Sequence, residues 1–356
     1  MSVHLSAASK RAASYPARGP EWSTSFSFQT VTGIGHEAGV NRRDPSSILR
    51  IDDLYYVWYT RSEGPSSWRK PGYDPAQRIF SWDMAEIWYA SSPDGYDWTE
   101  QGCAVDRGEA GAYDSRTVCT PDVMHHDGRF YLVYQAATEP YGGSEETVGM
   151  AVAESVDGPW EKTPEPILRP MKGGEWFGDP DNYNKGHFRG LNHDPMLLFF
   201  KGKYHLYYKC GSSHHPGKPN EKYAGRDTRW GVAISDNPTG PYDHSPYNPV
   251  TNSGHETLLW PYKDGLAALL NRDGPERDTV QYTTDGVNFE PMGTAWNTPW
   301  AGGACRCEDT DAHPLKGIEW GLGHIDEGGS EWNYIVRFDA DPHNSSTCPS
   351  YYPRKL

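Results

Sequence analysis

Five stretches of the chain repeat one arrangement of apolar and polar positions: a small polar or acidic residue, an apolar run, a turn, then a strand of alternating aromatics. They begin at Asp44 (DPSSILRIDDLYYVWYT), Asp122 (DVMHHDGRFYLVYQA), Asp194 (DPMLLFFKGKYHLYYK), Glu256 (ETLLWPYKDGLAALLN) and, more weakly, Trp320 (WGLGHIDEGGSEWNYIVRF). Alternation with period two predicts strands, and the pairs Asp52-Asp53, Asp127-Gly128, Lys201-Gly202, Asp264-Gly265 and Gly328-Gly329 predict hairpin turns between them. Four of the repeats are followed by a second hairpin pattern, over 85–100, 148–162, 230–245 and 278–291. Two hairpins make a four-stranded sheet, and such sheets repeated about an axis predict an all-β, five-bladed β-propeller, with a β-sandwich or a six-bladed ring as the competing architectures. The fifth repeat has no second hairpin after it. The alternating segment 22–32 (WSTSFSFQTVT) is expected to supply its outer strand and close the ring, which removes an open edge.

Residues 21–356 therefore read as one propeller domain, with 1–20 as a separate segment. Residues 3–14 are Ala-rich and end before Pro16 and Gly19, which predicts a helix too short to hold alone, so it must dock on this subunit or a neighbour. High aromatic content (13%) with 38 Gly and 29 Pro favours short strands and frequent turns over a helical bundle. A net charge of −15 disfavours nucleic acid and anionic membrane, so a neutral partner is expected. No apolar run approaches the ~18 residues of a membrane span and no signal-peptide core is visible, so the expected location is the cytoplasm. The six cysteines show no metal pattern (Cys305-x-Cys307 has no matching second pair) and are expected to be reduced thiols.

The first strand of a propeller blade lines the central channel. The repeats therefore bring Asp44, Asp122, Asp194 and Glu256 towards one rim. Asp122 is read as a turn cap. Asp44 and Asp194 share a fuller context, Arg-Asp-Pro and His-Asp-Pro, and Glu256 follows His255. Three acids and a histidine in one funnel suit glycosidic bond hydrolysis, where one group activates water, another protonates the leaving oxygen and a third holds their pKa values apart. Trp82, Trp176, Trp300 and Trp320 are candidates for stacking on sugar rings, although such a Trp is more often blade core than subsite. His193 is expected to line the channel beside Asp194, and His125, His126, His214 and His215 to lie at the surface. No cofactor is required. The channel could hold a divalent ion, with His313 and His324 as candidate ligands, but no ligand spacing calls for one.

These motifs resemble glycoside hydrolase family 117, the α-1,3-(3,6-anhydro-L-galactosidases) or neoagarobiose hydrolases. The resemblance rests on Ser6-x-Ala8-x-x-Arg11, Asp44 in NRRDPSS, Asp194 in LNHDPM and His255-Glu256 in SGHET, and it spans the chain. It implies a five-bladed propeller whose N-terminal helices are exchanged in a homodimer. It also implies exo-acting release of 3,6-anhydro-L-galactose from neutral agar oligosaccharides, with inversion. Asp44 would be the general base and Asp194 the group that orients and tunes. His255 would be the general acid, with Glu256 binding the sugar or itself serving as acid. Trp82, Thr120 and Gln135 would contact the sugar. Two alternatives stand beside this: a family 43-like arabinosidase or xylosidase, whose acid is a glutamate, and a non-catalytic carbohydrate-binding propeller. The differing polar residues from repeat to repeat argue against the latter.

Overall fold

Regular structure in the computed structural model, which describes residues 23–67, 74, 76–140, 144–171, 192–212, 227–274, 276–305, 314–325 and 332–340, consists of strands and one short 3-10 helix (Pro314–Ile318). The first sheet contains β2 (Val40–Arg43), β4 (Leu54–Glu63), β5 (Glu86–Ser92) and β6 (Thr99–Val105) in that order, with β3 (Leu49–Ile51) also paired to β4. The second contains β7 (Thr117–His126), β8 (Arg129–Ala137), β9 (Thr147–Ala153) and β10 (Glu161–Lys162). The third contains β11 (His193–Phe200), β12 (Lys203–Ser212), β13 (Asp227–Ser235) and β14 (Asp243–His244).

The remaining strands form one eight-stranded sheet. Its first half is β15 (Leu259–Tyr262), β16 (Gly265–Leu270), β17 (Thr279–Thr283) and β18 (Glu290–Trp296). Its second half is β1 (Ser23–Thr30), β21 (Tyr334–Ala340), β20 (Trp320–Ile325) and β19 (Gly303–Ala304). The halves join through the parallel pairing of β1 with β18, Ser23 opposite Thr294, while β1 runs antiparallel to β21. The segment read as a closing strand is thus the outermost strand of the last group. The fifth repeat is shifted by one strand from expectation. Its hairpin supplies β20 and β21, and the short Gly303–Ala304 strand stands first.

Period-two alternation usually separates a buried face from a wet one, but the second strand of each group is buried on both. On β8, Phe130, Leu132, Tyr134 and Ala136 enter a cluster shared with the first sheet, and Tyr131 and Val133 one shared with the third. On β16, Leu266, Ala268 and Leu270 face the third sheet, whereas Ala267 and Leu269 face the last group. Each such Leu or Val contributes about 1.5–3 kcal/mol. A further cluster, including Ile34, Ile48, Val57, Leu322 and Ile335, packs the last group against the first. The turns Asp127-Gly128 and Lys201-Gly202 have φ of 49° and 73°, and 49° and 77°, the left-handed pair that two-residue hairpins require. In the fourth repeat the turn is Lys263-Asp264, one residue earlier than the Asp-Gly reading, since Tyr262 pairs with Gly265.

Among the described residues there is no α-helix, and no helix long and apolar enough to cross a membrane. The expected helix at 3–14, with Trp176, His214, His215, His313, Cys307, Cys348 and the Gly328-Gly329 turn, lies outside the described residues.

Candidate active site

Proline decides how the acids are presented. Asp44, Thr120 and Asp194 each precede a proline and hold left-handed backbone, with φ of 50°, 47° and 47°. Proline has no N–H to give the ladder, and it disfavours helical backbone in the residue before it. Pairing accordingly slips between Cys119 and Asp122 and between His193 and Met196. Ala301, at the head of the fifth group, is left-handed too, with φ of 41°. Non-glycine residues held there cost of order 1–3 kcal/mol each and cluster at working sites. Asp44, Thr120, Asp194, Glu256 and Ala301 all line one cavity of about 30 Å3, which has room for water but not for a sugar ring.

Behind this inner ring stands another: Thr60, Gln135, Lys209 and His324 from the second strands of their groups, and Asn271 directly after β16. Thr60 Oγ1 accepts the N–H of Thr120 at 2.8 Å, and its hydroxyl bonds to Asp44. Gln135 Oε1 accepts the Thr120 hydroxyl proton at 3.3 Å. Lys209 Nζ pairs with Asp194. Asn271 Oδ1 accepts the N–H groups of both His255 and Glu256 at 3.1 Å, while its Nδ2 donates to the Pro299 carbonyl at 2.9 Å. His324 Nδ1 accepts the Asp44 N–H at 3.2 Å.

The carboxyls are driven in opposite directions. Burial pushes Asp44 up most strongly, but the Arg43 guanidinium, whose Nε stands 2.9 Å from Oδ2, together with His324 and the Thr60 hydroxyl outweighs it and holds the group below the usual carboxylate range. Burial and the neighbouring charge of Asp194 push Glu256 up to about 7 against the opposing pull of Lys209 and His255. His255 Nδ1 meets Asp273 Oδ2 at 2.5 Å and its Nε2 lies 3.5 Å from Glu256 Oε1. Burial and the Lys209 charge lower the His255 pKa despite Asp273. Its imidazole is thus neutral near pH 7, and with the proton on Nδ1 facing Asp273, Nε2 presents a lone pair.

The other expected residues separate into two groups. Trp82 stacks on Phe80 at 4.4 Å, and Arg43 lies 4.7 Å over its ring, so it borders the acids. Gln135 and His193 both reach the buried carboxylate of Glu146. Trp300 meets the His324 ring edge-on at 6.3 Å, near the same centre. Trp320 does not: it packs edge-on against Tyr55 at 5.1 Å and under Arg337 at 4.1 Å, between the last and first groups. Asp122 is a clamp, Oδ1 accepting the N–H of Ser47 at 3.0 Å and Oδ2 that of Leu197 at 3.3 Å, so it ties the first three groups together. His125 and His126 lie by a turn, the first stacked on Phe130 and the second tilted against Phe199. Cys103 and Cys119 are free thiols. Among the described residues no set of three or more ligating side chains is placed to hold a metal ion, and His324 is turned to the Asp44 backbone. Arg43, Lys209, Asn271, Asp273 and Glu146 were not singled out from sequence. The signal for two of them, Lys209 and Asn271, was there: in the first four groups one polar residue stands fifteen or sixteen positions after the inner one.

Comparison with known proteins places this arrangement. Residues 39–184 match the model of glycosyl hydrolases family 43. Among solved structures, a family 117 glycoside hydrolase of the marine bacterium Zobellia galactanivorans is similar with a TM-score of 0.75 and 35% identity, over 92% of this chain and 93% of that one. A family 43 enzyme of Xanthomonas citri in complex with xylose (TM-score 0.52, 14% identity, 86% of this chain and 90% of that one) shares the fold. So does the sucrose-6-phosphate hydrolase of Lactobacillus gasseri (0.58, 13%, 86% and 60%). A search of curated proteins finds no match. The chain is an all-β glycoside hydrolase of the propeller type. Its identity to the Zobellia enzyme over nearly the whole length makes it a member of glycoside hydrolase family 117.

Proposed function

We propose that this glycosidase is exo-acting and inverting, and that it releases the non-reducing-end 3,6-anhydro-L-galactose of neoagarobiose and short neoagaro-oligosaccharides by cleaving the α-1,3 linkage. The observation that carries the chemistry is the opposed protonation of two carboxyls on one cavity, Asp44 held ionised and Glu256 held protonated up to about pH 7. Asp44 takes the proton of a water that attacks the anomeric carbon, and an acid opposite returns a proton to the glycosidic oxygen as the bond breaks. Of the two acids considered, Glu256 has the better support. His255, neutral and with Nδ1 engaged by Asp273, offers a lone pair rather than a proton. Asp194, paired with Lys209, keeps a negative charge beside Glu256 and so helps retain its proton. Trp82, Thr120, Gln135 and His193 contact the sugar at the mouth, above a cavity too small to hold it.

In this reading the strand groups are five blades about one axis, supported by the five apolar clusters that each join successive groups. Residues 1–20 form the helical segment exchanged in a cytoplasmic homodimer, and the partner in catalysis is a neutral oligosaccharide needing no cofactor. The agar-derived substrate follows from the family motifs. A second reading, an arabinosidase or xylosidase, is favoured by the family 43 match over 39–184 and by a glutamate as the protonated group. Proton NMR of the enzyme with neoagarobiose, and separately with xylo- and arabino-oligosaccharides, tests both. Release of 3,6-anhydro-L-galactose and galactose supports the first. Turnover of pentosides alone overturns it.

A further inference from the structure

Two of the sugar-contact candidates, Gln135 and His193, converge on one residue that takes no part in the proton transfers, and a third, Thr120, is linked to it through Gln135. Glu146, the residue before β9, is 2% exposed and stands where the second and third groups meet. Its Oε2 accepts a proton from Gln135 Nε2 at 2.6 Å, and the same oxygen lies against His193 Nε2. Its carbonyl accepts the N–H of Asn192 at 3.2 Å, so the residue next to His193 is pinned as well. On the far side, Gln135 Oε1 takes the hydroxyl proton of Thr120 at 3.3 Å.

A glutamine amide fits its pocket either way round, and its neighbours decide which end donates. A carboxylate on one side admits only the NH2 end, and the Thr120 hydroxyl on the other then meets the oxygen. A carboxylate beside Nε2 of a histidine likewise draws the ring proton to that nitrogen and leaves Nδ1 an acceptor. One buried charge thus determines the donor and acceptor pattern of two residues on different strands.

We propose that Glu146 is a positioning residue for sugar recognition. It fixes the amide orientation of Gln135 and the Nε2–H tautomer of His193, so that one arrangement of donors and acceptors meets the hydroxyls of a neutral saccharide. The proposal rests on reading the site as a glycosidase site for neutral sugars, and its test has an arm that needs no substrate.

Long-range 1H–15N NMR of histidine-labelled protein reports the His193 tautomer directly. The wild type is expected to hold Nε2–H, E146L to lose that preference, and E146Q, which keeps one acceptor, to fall between. An unchanged tautomer in folded E146L overturns the proposal. With neoagarobiose, E146L is expected to raise KM about tenfold, the worth of one well-made hydrogen bond, with kcat changed less than about threefold. In a Q135A background the part of that rise carried by Gln135 should vanish, leaving the part carried by His193. Fully additive effects, or a collapse of kcat at constant KM, count against it. If E146L fails to fold, E146Q decides by the same directions at smaller size. A wild type inactive on neoagarobiose defeats the substrate reading, and the tautomer arm still decides the role of Glu146.

Discussion

His324 accepts the backbone N–H of Asp44 through Nδ1 at 3.2 Å, joining two residues 280 positions apart in the chain. A neutral imidazole that accepts at Nδ1 carries its proton on Nε2. Burial, with the Arg43 charge beside it, pushes the His324 pKa down to about 3, so the ring stays neutral wherever the enzyme works. It holds Asp44 in left-handed backbone without adding a charge.

Replacing that acceptor leaves a buried N–H with no partner. H324L is expected to lose about 1–3 kcal/mol of stability in urea unfolding, and H324N, which restores an acceptor, to regain part of it. Equal stability of H324L and wild type would show that the bond is dispensable.

Asp44 is the group asked to activate water. D44N keeps its shape and removes its basicity, so kcat should fall by roughly 10²–10⁴ while substrate binding by calorimetry changes little. Retained turnover would move the base elsewhere.

The pH profile separates the two acids. Asp44, depressed below the carboxylate range, stays ionised through mildly acidic pH, and Glu256 is protonated only below about 7. kcat/KM should therefore be level in mild acid and fall about tenfold per pH unit above about 7 as Glu256 loses its proton. It should fall again in strong acid as Asp44 gains one. With an aryl glycoside, whose leaving group needs no proton, E256Q should recover activity and lose the alkaline limb, whereas H255N should keep it. The reverse pattern would return the acid role to His255.

Asp122 ties three groups together through the N–H groups of Ser47 and Leu197. D122A strands both donors in the interior, at about 1–3 kcal/mol each, and D122N should cost less because one acceptor survives. Folded D122N is expected to keep its kcat; a collapse would make Asp122 part of the chemistry.

Removal of residues 1–20 should convert a homodimer into monomers by light scattering, and a truncated protein that stays dimeric ends the exchange proposal.

The sequence disclosed Asp44, Asp194 and Glu256 because each opens a repeat, and Asp44-Pro45 and Asp194-Pro195 mark the place where the ladder must break; Thr120 and Ala301 stand ahead of their repeats, so the repeat starts alone did not reveal them. The outer ring was harder to see. Lys209 and Asn271 are single polar letters at the ends of apolar strands, and alternation sorts residues by face, not by distance from the axis. Glu146 and Asp273 lie just outside strands, where sequence assigns no direction to a side chain. Trp320 carried two readings for a related reason: its indole looks the same in sequence whether it faces a sugar or, as here, packs between Tyr55 and Arg337 as blade core.

The pairing of β1 with β18 and β21 sets an order of events during synthesis. Ser23–Thr30 leaves the ribosome long before its partners, which begin at Glu290 and Tyr334. At ~5–20 residues per second it waits on the order of tens of seconds with both edges bare. Every shortened translation product ending before β18 carries that bare edge permanently, a ready template for strand addition between chains. Production of this enzyme should therefore respond to holding chaperones and slower elongation temperatures more than its finished stability would suggest.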